Sequence, residues 1–158
     1  WHFIQLGKYM ERACGLSVLL DAYYSLIAGA DDFDWVSLLS ACSAFEAYRK
    51  VYTADLTADR VAEFLILNAQ FPYTVRYAAD RMNSALESIS DLTSRRKSIQ
   101  IDRIIGKMRS SLAYGQIDEI MNRDIHSYLS GIIQQCFSLH AAVHQVYIDY
   151  PVESAFEA

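Results

Sequence analysis

Helix-breaking residues are scarce in this chain, and that scarcity constrains its fold more than any single motif does. Two prolines and six glycines are spread over 158 residues. Because proline and glycine are the residues least compatible with a helix interior, their rarity favours long uninterrupted helices. Apolar residues make up 53% of the chain and charged residues 21%. This is the composition of a globular protein with a substantial core.

Apolar residues recur at spacings of three and four along most of the chain, as they do on the buried face of a helix. The longest such seam, in a helix predicted over 2–28, comprises Leu6, Tyr9, Ala13, Leu16, Leu20, Tyr23 and Ile27. Further helices are predicted over 35–52, 58–68, 72–89, 101–115 and 125–147, with a loop at 90–98 and a short turn at 117–124. The sequence therefore predicts an all-α antiparallel bundle of six to seven helices. We expect a single domain over residues 1–150 and a frayed tail at residues 151–158.

Three residues mark predicted helix ends. Gly29 ends the first helix, Thr57 caps the third, and Pro72 occupies the first position of the fourth, where its missing N–H costs nothing. The Asp-rich stretch at 30–34 supplies the cap of the second helix.

Charge, apolar run length and cysteine content indicate which partners and which cell compartment to expect. The net charge is −5, and the one basic run, SRRKS at 94–98, is too short to form a basic stripe, which disfavours nucleic-acid binding. The longest apolar runs, such as FLIL at 64–67, are too short to cross a membrane. Three cysteines, an odd number within predicted helices, are typical of reduced thiols, so we expect a cytoplasmic protein.

Glu11 and Arg12 stand side by side in a helix that is otherwise largely apolar. Opposite the seam, Gly15, Val18 and Ala22 form a stripe of small residues that suits a second neighbouring helix, and Glu11 begins that stripe. We therefore expect the first helix to be enclosed on two sides and Glu11 to pair with an arginine of another element. The arginines available for that pair are Arg49, Arg76 and Arg81. The pair is interpreted either as a structural ion-pair network or as a charged interhelical pocket.

The last predicted helix carries Cys136, His140 and His144 at intervals of four residues, on one helix face. Cysteine and histidine at that spacing are possible zinc ligands, but the same stripe includes apolar residues, so core packing is the favoured interpretation. The chain contains no glycine-rich phosphate loop, GxSxG elbow or CxxC pair. We accordingly expect no cofactor.

Four segments of the chain resemble the bacterial alpha-E family: LGKYMERA at 6–13, SAFEAYRKVY at 43–52, VAEFLILNAQFPYTVRY at 61–77, and IDEI with IHSYL within 117–129. The resemblance runs through nearly the whole chain in order. It implies an all-helical bacterial domain and a family length about twice that of this chain, which resembles the second half.

The resemblance also implies site residues and partners. The positions that match the family pattern are Tyr9, Glu11, Arg12, Glu46, Tyr48, Arg49, Phe71, Pro72, Arg76, His126 and His140. Family members accompany ATP-grasp-type ligases and transglutaminase-like proteins, which implies a role in peptide synthesis or modification. Cys14 and Val18 depart from the pattern, because the family often has a polar residue and an arginine there.

The expected function is therefore a non-catalytic module that binds or scaffolds a protein partner. Its candidate binding cluster comprises Tyr9, Glu11, Arg12, Glu46, Tyr48, Arg49 and Arg76. The alternatives are an enzyme or small-molecule-binding protein that uses a Glu/Arg pocket, and a metal site at the Cys/His face. If the chain is half of a longer family protein, an exposed apolar face would also favour a homo-oligomer.

Overall fold

The computed structural model describes residues 1–27, 34–53, 55–93 and 98–149. Within these ranges it contains eight α-helices and no strand, so the predicted all-α bundle is confirmed with at least one helix more than expected. The helices are α1 (His2–Ile27), α2 (Trp35–Ala41), α3 (Phe45–Tyr52), α4 (Ala58–Leu67), α5 (Val75–Thr93), α6 (Ile99–Tyr114), α7 (Ile117–Arg123) and α8 (Ile125–Tyr147).

The four longest helices form a ring in which α1 packs against α5, α5 against α6, α6 against α8, and α8 against α1. The contacts show that α1 and α8 are antiparallel. At one end the rings of Phe3 and Tyr147 lie 5.6 Å apart, and at the other Asp21 Oδ1 lies 2.6 Å from His126 Nδ1. The seam of α1 faces this core: Leu6, Tyr9, Ala13 and Leu20 are buried, and Leu16 and Tyr23 are half-buried.

The shorter helices cover the end of the ring where α8 begins. Helix α4 packs against α2, α3, α5, α6 and α7, and half of its ten residues are buried. The Tyr24 hydroxyl of α1 donates a hydrogen bond of 2.5 Å to the carbonyl of Ala58, which joins α1 to the start of α4. Thr57 caps α4 by accepting from the backbone N–H of Arg60, as predicted.

The predicted helix over 35–52 is instead two helices, because the chain turns sharply at Ser43. Ser43 has a left-handed backbone conformation with φ of 52°. Its N–H bonds to the carbonyl of Ser40 at 2.9 Å, and the N–H of Ala44 bonds to the carbonyl of Leu39 at 2.7 Å. These two bonds form a Schellman motif, which ends a helix by satisfying its last carbonyls. Glycine usually occupies the left-handed position, so its absence concealed the break.

Pro72 does not open a helix, contrary to prediction, and Thr74 takes that role. Helix α5 begins at Val75, and the hydroxyl oxygen of Thr74 accepts from the N–H of Tyr77 at 3.2 Å. The same hydroxyl donates to the carbonyl of Asn68 at 2.5 Å, and Thr74 is 2% exposed. A capping threonine therefore starts the helix two residues after the proline.

Two other boundaries differ from prediction. The turn expected at 117–124 is largely helix α7, and α5 continues to Thr93, four residues into the loop expected at 90–98. Helix α8 spans 125–147 as predicted, and Asp34 caps α2 by accepting from the N–H of Ser37 at 3.0 Å. Gly29, residues 94–97 and the expected tail at 151–158 lie outside the described residues. Of the helices that are described, none has both the length and the hydrophobicity that a membrane span requires.

Candidate functional site

Glu11 lies on the solvent-exposed side of α1. Gly15, Val18 and Ala22, which follow it on the same stripe, are also exposed. Glu11 forms no ion pair with any residue in the described ranges. The prediction that α1 is enclosed on this side, with Glu11 paired to a distant arginine, is therefore wrong. A stripe of small residues permits close approach of a helix but does not require one, and α5 and α8 both pack on other sides of α1.

Glu11 and Arg12 line a small concavity that we call the Glu–Arg groove. Helix α1 contributes Glu11, Arg12, Gly15, Leu16 and Leu19, the corner between α2 and α3 contributes Ala41, Cys42 and Ser43, and the connection before α5 contributes Tyr73. The volume of the groove is about 220 Å³. Three of the four segments that resemble the alpha-E family thus contribute residues to one surface feature.

Two tyrosine rings hold the guanidinium of Arg12. Its Cζ lies 4.7 Å from the centroid of the Tyr73 ring and 5.5 Å from that of the Tyr9 ring. The negative face of an aromatic ring attracts a cation at such distances. Because this attraction leaves the N–H groups at the guanidinium edge available, Arg12 is positioned and still able to donate hydrogen bonds.

Further cations gather around the Tyr9 ring. Lys8 Nζ lies 5.5 Å and Arg81 Cζ 5.9 Å from the centroid of that ring, in addition to Arg12. Tyr9 also contacts Tyr77 of α5, with 6.1 Å between ring centroids. No carboxylate of the described part of the chain forms an ion pair with Lys8, Arg12 or Arg81. In a chain with net charge −5, these residues form a local excess of positive charge beside the Glu–Arg groove.

The other predicted cluster residues lie elsewhere, and none of them lines the Glu–Arg groove. Glu46 and Arg49 form an exposed pair on α3, with 3.9 Å between Oε1 and Nη1. Such a surface pair contributes little to stability. Tyr48 is fully buried and donates a 2.6 Å hydrogen bond to the carbonyl of Asp55, and burial raises its pKa. Arg76 Nη1 donates to the carbonyl of Leu67 at 3.3 Å.

A second concavity, which we call the thiol groove, lies between α1 and α8. Gly7, Met10, Glu11 and Cys14 of α1 and Cys136, Phe137 and His140 of α8 line it. Its volume is about 450 Å³, and Phe137, 63% exposed, forms part of its wall. Glu11 lines this groove as well as the Glu–Arg groove, so its carboxylate lies on the ridge between them.

The Cys/His face of α8 does not form a metal site in the structure. Cys136 is fully buried, whereas His140 and His144 are exposed, and their rings stack with centroids 6.3 Å apart. Within the described ranges, no three His, Cys, Asp or Glu side chains are placed to hold one metal ion. The imidazole of His126, by contrast, contacts Asp21 and joins α8 to α1.

Cys42, Ser43 and Tyr73 line the Glu–Arg groove but were not among the predicted site residues. Tyr73 belongs to a segment that resembles the family, and that membership was the available signal. Ser43 begins another such segment, but its left-handed backbone is visible only in the structure. Burial raises the pKa of Cys42 to about 11, so its thiol stays protonated near neutral pH.

Comparison with known proteins shows which family the chain resembles. The sequence profile of Alpha-E, described as a predicted alpha-helical domain with a conserved ER motif, matches residues 1–148. Uncharacterized proteins from Mycobacterium bovis and from two strains of Mycobacterium tuberculosis are each 23% identical to the chain over 148 residues. The alignment covers 92% of this chain and 16% of each relative, so these relatives exceed the twofold length that the resemblance implied. No solved structure matches the chain significantly.

Proposed function

The chain belongs to the Alpha-E family of helical domains, and from that premise we propose that it is a non-catalytic binding module whose docking site is the Glu–Arg groove. The chain contains one Glu-Arg dipeptide, at positions 11 and 12, and this dipeptide lines the groove. The single observation that carries the proposal is the convergence of Lys8, Arg12 and Arg81 on the Tyr9 ring without an ion-pairing carboxylate in the described residues.

The occupant that fits this surface is an extended segment of a partner protein that presents a carboxylate to Arg12. An arginine held against aromatic rings loses little side-chain entropy when it donates hydrogen bonds to a carboxylate. Lys8 and Arg81 add attraction for the same negative charge. Glu11, on the other side of Arg12, is free to accept from a backbone N–H or an amine of the segment. The adjacent opposite charges would then fix the direction in which the segment lies.

The size of the groove supports a protein segment over a free small molecule. Sites for drug-sized ligands usually enclose about 300–1,000 Å³, whereas the Glu–Arg groove has about 220 Å³. The thiol of Cys42 in its wall has a pKa of about 11, raised by burial, whereas a catalytic cysteine needs a lowered pKa. The alternative is an enzyme or small-molecule-binding protein that uses this Glu/Arg pocket. The accessibility of Glu11 supports this alternative.

The identity of the partner follows from the family resemblance. We expect an ATP-grasp-type ligase or a transglutaminase-like protein of a peptide synthesis or modification system, acting in the cytoplasm. The three free thiols are consistent with that compartment. The chain spans 16% of the length of its mycobacterial relatives. Any activity assigned to a longer protein that contains such a chain is therefore also a proposal.

Arg12→Ala tests the docking site. We expect the variant to keep its helical circular dichroism and to lose about 10- to 100-fold in affinity for the partner, because a hydrogen bond to a charged group contributes about 1.5–3 kcal/mol. The purified domain is titrated with the purified ligase and, separately, with the transglutaminase-like protein. Biolayer interferometry measures the affinity in each titration. Arg103→Ala is the matched control, since Arg103 is exposed on α6, which lines neither groove.

Two further variants separate the contributions within the site. Tyr73→Ala should weaken binding by releasing the guanidinium of Arg12, whereas Glu11→Gln should have a smaller effect. The proposal is contradicted if neither protein binds, or if Arg12→Ala and Arg103→Ala weaken binding equally. Light scattering on the same samples detects self-association, and a stable homodimer formed through Arg12 would replace the partner proposal.

A further inference from the structure

The thiol groove contains a pair of cysteines that the docking proposal does not use. Cys14 of α1 and Cys136 of α8 both line it, and the two thiols are near enough to interact electrostatically. The helices that carry them pack against each other, so the contact is supported along both elements. Both cysteines are free thiols in the structure. Two neighbouring thiols that line one groove between packed helices are placed to be joined by one disulfide.

The two thiols differ in accessibility. Cys14 is half-buried and open to the groove, whereas Cys136 has no exposed surface. Burial, together with the neighbouring thiol of Cys14, raises the pKa of Cys136. A reagent that enters the groove therefore reaches Cys14 first. Cys136 is placed behind Cys14, where it can react with whatever becomes attached to that sulfur.

We propose that Cys14 and Cys136 form a thiol-modification site that takes a low-molecular-weight disulfide, such as oxidised glutathione, and becomes an intramolecular disulfide. In the first step the Cys14 thiolate attacks one sulfur of the reagent, and one glutathione thiolate leaves. In the second step Cys136 loses its proton to solvent and attacks the Cys14 sulfur, and the second glutathione leaves as thiolate. Two protein thiols are oxidised, one reagent disulfide is reduced, and each released thiolate takes up a proton.

The shape of the groove favours this order of events. Its volume of about 450 Å³ is large enough to admit one half of a small disulfide against its apolar walls. To form a disulfide the two sulfurs must approach to about 2.05 Å, which requires rotation of both side chains and a small shift of α1 against α8. Cys42 has no such partner: it lines the Glu–Arg groove and not the thiol groove.

The test is incubation of the reduced protein with oxidised glutathione, followed by intact-mass and peptide-mapping mass spectrometry without reductant. We expect the wild type to lose the mass of two hydrogens and to yield one linked peptide pair containing Cys14 and Cys136. Cys136→Ala should instead keep a glutathione adduct on Cys14. Cys14→Ala should react much more slowly, because the remaining thiol of the pair is buried.

Cys42→Ala is the matched control and should form the disulfide at the wild-type rate. Circular dichroism of each variant shows whether it is folded. If Cys136→Ala fails to fold, the linked peptide pair of the wild type alone shows whether Cys14 and Cys136 form a disulfide. The proposal is overturned if the wild type keeps only a stable adduct, remains unmodified, or forms a disulfide that involves Cys42 or a second chain.

Discussion

Helix α1 borders two concave surfaces that differ in chemistry although they share Glu11. The Glu–Arg groove holds about 220 Å³ beside an arginine that contacts two tyrosines, and two further cations lie near one of these rings. The thiol groove holds about 450 Å³ between largely apolar walls and is lined by two neighbouring thiols. One face therefore suits recognition of a charged segment, and the other suits reaction at sulfur.

The difference arises from what packs beside α1 and not from α1 itself. On one side α1 meets the α2–α3 corner and a loop, which bring a turn and an exposed aromatic ring. On the other side it meets the long helix α8, which brings regularly spaced side chains. A single helix thus borders two chemically different surfaces, because irregular chain lies on one side of it and a regular helix on the other.

The largest expected effect concerns the thiol groove. Cys14 and Cys136 are about 120 residues apart in the sequence, so joining them constrains most of the unfolded chain. We expect the cross-linked protein to gain about 4 kcal/mol in unfolding free energy over the reduced protein, measured by urea denaturation with and without reductant. Cys14→Ala treated with the same oxidant should gain nothing. A gain in that variant would place the effect outside the thiol groove.

A second, smaller effect is the change in stability with pH that comes from Cys42, whose thiol lines the Glu–Arg groove. Burial raises the pKa of Cys42 from 9.0 to about 11, so the folded state holds its proton where the unfolded state releases it. This stabilising contribution of the Cys42 proton is present below about pH 9 and is lost as the pH rises to about 11, and it amounts to about 3 kcal/mol. Stability measured against pH should therefore fall less steeply in Cys42→Ala than in the wild type. Equal slopes would contradict the shifted pKa.

The smallest expected effect separates the two grooves most directly. Gly7 lines the thiol groove and Gly15 the Glu–Arg groove, and a methyl group added at either position meets no atom within 4 Å. Gly7→Ala and Gly15→Ala should each stabilise α1 by about 0.5–1 kcal/mol, which thermal denaturation detects. Only Gly15→Ala should weaken partner binding. If Gly7→Ala weakened it equally, the two grooves would not be independent surfaces.

The sequence was sufficient for most of the fold because helical periodicity is a local property. The buried seam of α1 and the full extent of α8 follow from apolar spacing alone. The break at Ser43 could not be predicted, because hydrogen bonds to Leu39 and Ser40 stabilise a left-handed serine that carries no compositional mark. At Pro72 two start signals competed, and the buried Thr74 prevailed because its hydroxyl satisfies backbone groups on both sides of it.

The candidate site was less predictable because exposure depends on neighbours that local spacing does not identify. Spacing placed Glu11 on a distinct face of α1, but it could not show that no helix covers that face. Tyr9 and Arg12 were predicted members of one cluster and lie in contact, with Cζ 5.5 Å from the ring centroid. Glu46 and Arg49 were predicted from the same family pattern, yet they form a local pair on α3. Whether these residues bind a partner is a question for the variants above.

The edge-on contact of Phe3 with Tyr147 has a consequence for protein architecture. It places the beginning of α1 beside the end of α8, so a polypeptide that enters the bundle leaves it at nearly the same point. Domains with adjacent ends tolerate insertion into a host loop and circular permutation. The start of α1 and the end of α8 therefore meet the geometric requirement for carriage as an insert within a longer polypeptide.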